Sequence, residues 1–215
     1  MIALGVAGAV LVVLIVAQLV LPGIAAQRVR DQLSRAGTVL EVKVSAFPAI
    51  KLLWGDADSV AVRLGRYGSG SSQIGGLLNE AVGVGRLDVS AQELDSGVLT
   101  LHDAALKKRG SEMTGSATIM ESNLRSAVPF LDKVEPVASS GGQLIVRGTA
   151  SLFGLTASVN AVVGTRDGAL VVAPDVPFGG IATITLFNDP HVRVQSVSAV
   201  TVPGGFKLVA VATVQ

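Results

Sequence analysis

Hydrophobic and polar positions follow three regimes along this chain. Residues 2–17 are apolar without a break, Gln18 interrupts them, and residues 19–26 resume the run around Pro22. A helical stripe comes next. Ile24, Val29 and Leu33 share one face, Arg28, Asp31, Gln32 and Arg35 cover the rest, and Gly37 is a natural stop. Beyond it the period falls to two. Leu40, Val42 and Val44 alternate with Glu41 and Lys43, which predicts a half-buried strand over 39–46.

The same alternation predicts strands over 58–64, 84–91, 98–106, 143–150, 153–163, 170–173, 181–187, 192–200 and 206–214. Turn residues separate them. Pro48 ends the first strand, because it cannot donate to a ladder. Arg166-Asp167-Gly168 reads as an Asp-Gly hairpin, and Ser139-Ser140-Gly141-Gly142 and Pro203-Gly204-Gly205 as further turns. Residues 67–76 are rich in Gly and Ser and read as a loop. Short helices are expected at 77–82 and 122–131. Ser122 could cap the second, with Leu124, Val128 and Leu131 on one side, although Pro129 interrupts it. Lys107-Lys108-Arg109-Gly110 reads as a basic hairpin end.

The pattern therefore gives about nine strands and two or three helices, most strands having one apolar and one polar face. The expected fold class is α+β: one layer of curved antiparallel β-sheet wrapped on helices, preceded by one N-terminal transmembrane helix. Two parts are expected, residues 1–26 as a transmembrane anchor or signal peptide and residues 27–215 as a β-rich domain.

Charge sharpens the division. All 17 Lys and Arg and all 16 Asp and Glu lie after Gln27. About 20 helical residues at about 1.5 Å each span about 30 Å, enough for a bilayer core. No basic residue precedes the run, unlike a standard signal peptide, while Gly23-Ile24-Ala25 offers small residues for cleavage. Arg28, Arg30 and Arg35 just after the run would place the body in the cytoplasm by the positive-inside rule. Arg28 and Arg35 are also candidates for contact with anionic lipid headgroups. The net charge of +1 gives no general case for nucleic acid binding.

The chemistry of catalysis is thin. Without cysteine, disulfides, thiolate nucleophiles and Cys-based metal sites are excluded. His102 and His191 lie far apart in sequence, so no zinc spacing is present. Asp56 and Asp58 begin like a calcium loop, but Val60 and Val62 stand where oxygen ligands would continue. Gly83-Val84-Gly85 lacks the third glycine of a dinucleotide loop, and no Gly-x-Ser-x-Gly elbow has a plausible partner set. The chain is expected not to be an enzyme and to use no cofactor.

An apolar cluster just after a strand, where a turn is normally polar, provides the strongest local signal. Phe47, Pro48, Leu52, Leu53 and Trp54 make up this cluster. The segment from Val42 through Phe47-Pro48-Ala49-Ile50-Lys51-Leu52-Leu53-Trp54-Gly55 to Val60 and Val62 resembles the DUF2993, or LmeA-like phospholipid-binding, family of actinobacteria and some other bacteria. So do Gln27-Arg28-Val29 through Leu33, Pro177-Phe178-Gly179-Gly180 and the closing Gly204-Gly205-Phe206 turn. The resemblance covers about residues 27–215 and is weakest over 66–140; Ala49 stands where members often carry a second aromatic.

The resemblance implies a fold like tubular lipid-binding domains, with an apolar lipid groove for which Phe47, Pro48, Leu52, Leu53 and Trp54 are the candidates to line or gate the mouth. It also implies phospholipid as ligand, with roles in lipid transfer or envelope maintenance, and a body outside the cytoplasm, anchored as a single-pass membrane protein or secreted if the first segment is cleaved. Protein partners are not specified. The alternative expectation is a non-catalytic structural or protein-interaction domain with a filled core.

Overall fold

The structure is a computed structural model; it describes residues 18, 20–54, 56–68, 83–95, 99–123, 132–152, 155–175 and 183–214, without the side chains of Ile50, Leu53, Trp54, Leu152 and Leu155. Residues 20–33 form helix α1. The strands are β1 (Gly37–Ser45), β2 (Ala57–Gly68), β3 (Val84–Asp95), β4 (Thr100–Arg109), β5 (Glu112–Met120), β6 (Lys133–Ser140), β7 (Gln143–Leu152), β8 (Leu155–Arg166), β9 (Ala169–Pro174), β10 (Ile184–Phe187), β11 (Val192–Val202) and β12 (Gly205–Val214). A 3₁₀ helix, Ala49–Trp54, lies between β1 and β2, and residues 121–123 form a helical turn.

Two sheets result: a seven-stranded one in the order β1-β2-β3-β4-β5-β12-β11, and a five-stranded one in the order β10-β9-β8-β7-β6. This corrects the expected α+β single layer wrapped on helices. The protein is mostly β, with two sheets and no closed barrel among the described residues. Pairing is antiparallel except between β2 and β3, which run parallel. Residues 69–83, which take in most of the loop expected at 67–76 and the helix expected at 77–82, give those strands a connection long enough for a crossover. β5 and β6 went unpredicted. Gly115 and the small residues around it weaken the strand signal of β5, and Pro136 weakens that of β6. As an edge strand β6 tolerates its proline.

One face of the large sheet supplies the main core. Leu33 of α1 packs with Val42, Val62, Leu64, Tyr67 and Ala91, and Ala26, Val29 and Ala36 extend the contact. Burying a leucine of this kind contributes about 1.5–3 kcal/mol. The same parity continues across the sheet. Register places Val89 opposite Leu106, Leu106 opposite Gly115, Met113 opposite Ala212, and Ile119 opposite Phe206. Leu87, Met113, Ile119, Val194, Val197 and Phe206 are all buried.

The small sheet meets the large one through β11. Its hairpin tips point at that edge strand: Val194 N donates to Gly168 O at 2.8 Å and Val197 N to Gly142 O at 2.9 Å. Ala199 N donates to Ser139 Oγ at 3.1 Å. These bonds occupy groups that an edge strand would otherwise leave open to a second chain. Gly168 and Gly142 have positive φ, and a Cβ on Gly168 would lie 2.7 Å from Arg193, so the tight approach calls for glycine.

Among the described residues no helix is long and apolar enough to cross a membrane. The expected transmembrane segment lies largely outside them, as do the expected helix at 77–82 and most of that at 122–131.

Candidate lipid-facing site

The segment after β1 owes its shape to a few bonds. The β1–β2 ladder closes at Ser45 and Ser59, whose hydroxyls lie 2.7 Å apart. Pro48 then ends pairing, with a cis Phe47-Pro48 peptide. Phe47 N donates to Asp58 Oδ2, and Lys51 lies 3.7 Å from the other oxygen of that carboxylate. Gln18 ties the turn to the chain leading into α1. Its Nε2 donates to Ala46 O at 3.1 Å, and its Oε1 accepts from Ala49 N at 2.7 Å. Both alanines are buried, which leaves the side chain between them to project.

The groove candidates therefore do not act as one cluster. Phe47 projects with 76% of its surface exposed, and Pro48 is exposed beside it. Leu52 turns inward against Ala57, Val84 and Leu87. The side chains of Leu53 and Trp54 lie outside the described residues. Arg28 on α1 and Arg35 in the turn that follows it are exposed, as a headgroup contact requires.

Lys108 is the residue the sequence reading missed. The basic run does end at a turn, with Gly110 at φ +59°, but Lys108 is only 3% exposed. Its Nζ donates to Val84 O, and burial holds its ammonium pKa below the ordinary lysine value. Period two carried the signal, because Ala104, Leu106 and Lys108 share the parity of the apolar face. Arg109 points the other way and donates from Nη2 to both Asp88 carboxylate oxygens at 2.9 Å.

A cavity of about 640 Å³ lies along Leu40, Glu41, Arg63, Ser90, Gln92 and Asp103. In register, Arg63 faces Ser90 and Ser90 faces Ala105, a row that alternates with the one packed on α1. Half of its lining residues are apolar and half are polar or charged, Glu41, Arg63 and Asp103 among the latter. Lys43 and then Arg63 hold the Glu41 carboxyl below its usual range. Asp103 sits at a break in the β4–β5 register with φ +48°. Such a depression does not suit an acyl chain.

Apolar surface lies instead on the small sheet. Pro136, Val146, Ala161 and Pro174 stand in one row across four strands, and Leu144, Val163, Val172 and Ile184 in another. Gly148 and Val159 continue the same parity. The opposite face bears Thr149–Ser158 and Ser151–Thr156 hydroxyl pairs at 2.9 and 3.1 Å, and Arg147 donating to Asn160 at 3.0 Å. Leu144 is buried, yet Val159 is 50% and Ile184 62% exposed.

No family model, curated protein or solved structure matches the chain. The resemblance to the DUF2993 family thus stands on the residues quoted for it. Among the described residues, no group of three or more His, Asp or Glu could hold a metal ion.

Proposed function

We propose that this protein is a non-catalytic phospholipid-binding module, held to the membrane by its N-terminal segment, with its body outside the cytoplasm. The observation that carries this reading is the half-open apolar face of the small sheet. One row is apolar from β6 to β9 and the next from β7 to β10, with Ser139 as its β6 end, whereas a sheet face meeting water normally alternates toward polar residues. Covering ten methylenes of an acyl chain would contribute about 8 kcal/mol, at about 0.8 kcal/mol each.

The full chain, extracted from membranes in mild detergent, should carry phospholipid in native mass spectrometry. Val159→Asp and Ile184→Asp should each lower that occupancy while leaving the thermal transition near its original temperature, because both positions are exposed. A protein that emerges lipid-free and takes up no fluorescent phospholipid overturns the reading. Capture of a protein on that face, with no lipid, would favour the interaction-domain alternative.

A further inference from the structure

The outward side of α1 changes character along its length. Ala26, Val29 and Leu33 pack on the sheet. Val20 and Ile24 lie about half a turn away from that face, at 100° per residue, and are 49% and 45% exposed, so Ile24 does not share the stripe of Val29 and Leu33 expected from the sequence. The next positions on the outward side are Arg28 and Asp31, both exposed, and exposed Arg35 follows in the turn after the helix. The helix is thus apolar all round as far as Ile24 and amphipathic after it, a change that marks where lipid gives way to water. Gln18 lies on the apolar side of that change, and its carboxamide holds the turn that projects Phe47. Lys51 on the same turn, paired at 3.7 Å with Asp58 at the start of β2, limits how deeply it can sink.

We infer that Val20, Ile24 and Phe47 form one membrane-contact surface, seated at the boundary between acyl chains and headgroups, with Arg28 and Lys51 at headgroup level. The occupant is the bilayer that receives the apolar run 2–17, which ends at the residue clamping the turn. This rests on the anchor reading but not on lipid binding by the small sheet. It assigns Phe47 to the bilayer surface instead of the groove. An apolar surface of this kind settles about 5–10 Å into the interface.

The absence of cysteine makes the test direct. Single substitutions Phe47→Cys, Ile24→Cys, Arg28→Cys and Ser140→Cys in the full chain are spin-labelled and reconstituted in vesicles of phosphatidylethanolamine and phosphatidylglycerol. Labels at 47 and 24 should be several-fold less accessible to an aqueous nickel chelate than the label at 140, and more accessible to oxygen. The label at 28 should lie shallower than that at 24 by up to about 6 Å, four residues of helix. If the protein floats with the vesicles but the label at 47 is as water-accessible as that at 140, the inference is wrong and the anchor stands. If the chain does not float with vesicles, both fall. Native mass spectrometry of the Phe47→Cys protein separates the lipid reading, since its phospholipid occupancy should equal that of the parent.

Discussion

The large sheet has its apolar face roofed at one end by α1, and the small sheet carries an equally regular apolar face half open. Val62, Leu64 and Ala91 are 4–6% exposed beneath Leu33, while Val159 and Ile184 on the small sheet are 50% and 62% exposed. Both faces follow from the same period of two. The difference lies in what covers them. The roofed end uses Leu, Val, Tyr and Ala against a helix, whereas the open rows use Val, Ala, Pro and Gly together with Leu144 and Ile184. Alternation specifies which side of a strand is apolar; burial depends on a partner element contributed from elsewhere in the chain.

The most direct way to break that contrast is to truncate one residue on each sheet. Leu33→Ala should cost about 2–5 kcal/mol of stability, as large-to-small changes in packed cores do. Val159→Ala should cost less than about 1 kcal/mol, since half of the side chain already meets water. Leu144→Ala, at the 1% exposed root of the small sheet, should behave like Leu33→Ala. Urea unfolding of the purified chain in detergent measures all three. Equal losses at Leu33 and Val159 would mean that the open face is covered in solution.

Much of this was legible in the sequence, and the failures have physical causes. The strands from residue 39 to 64, from 84 to 106 and from 143 to 214 were read nearly in place, because valine-rich alternation bounded by Gly and Pro is a local signal. The Asp-Gly hairpin was read correctly, and both its residues have positive φ. Sheet membership was not legible. Nothing in β11 announces that hairpin tips from 142 and 168 will seal its edge, since those bonds are long-range and use backbone atoms. At the site, the sequence marks the Phe47 cluster as unusual, but the division into outward Phe47 and inward Leu52 accompanies the Gln18 clamp, about thirty residues away in sequence.

Lys108 sharpens the contrast through pH. Its ammonium is buried on the roofed sheet, so its folded pKa lies below the unfolded value near 10.5. Between those two values the unfolded chain binds more protons, and stability rises with pH; the penalty is at full strength below the folded pKa. Tyr67 acts in the opposite sense. Burial raises its phenol above 10.0, so stability falls once pH passes about 10 and the unfolded chain begins to ionise. Melting temperature should therefore rise as pH approaches 10 and fall beyond it. Lys108→Met should flatten the rise, whatever it does to the absolute level through the lost bond to Val84 O. An unchanged slope in the variant would show that the ammonium reaches water in solution.

The smallest expected effect compares the polar faces of the two sheets. On the large sheet Arg109 holds the Asp88 carboxylate, with the two side chains 48% and 40% exposed. On the small sheet the corresponding neighbours are hydroxyls, Thr149 with Ser158 at 2.9 Å. Double-mutant cycles, Arg109→Ala with Asp88→Ala and Thr149→Ala with Ser158→Ala, should each give coupling of about 0.2–1 kcal/mol. Salt should separate them. At 1 M ionic strength the screening length shrinks to about 3 Å, which weakens the exposed ion pair and leaves the uncharged pair unchanged. Loss of both couplings in salt would mean that the hydroxyl pair depends on charged neighbours, and the two polar faces would then be electrostatically alike.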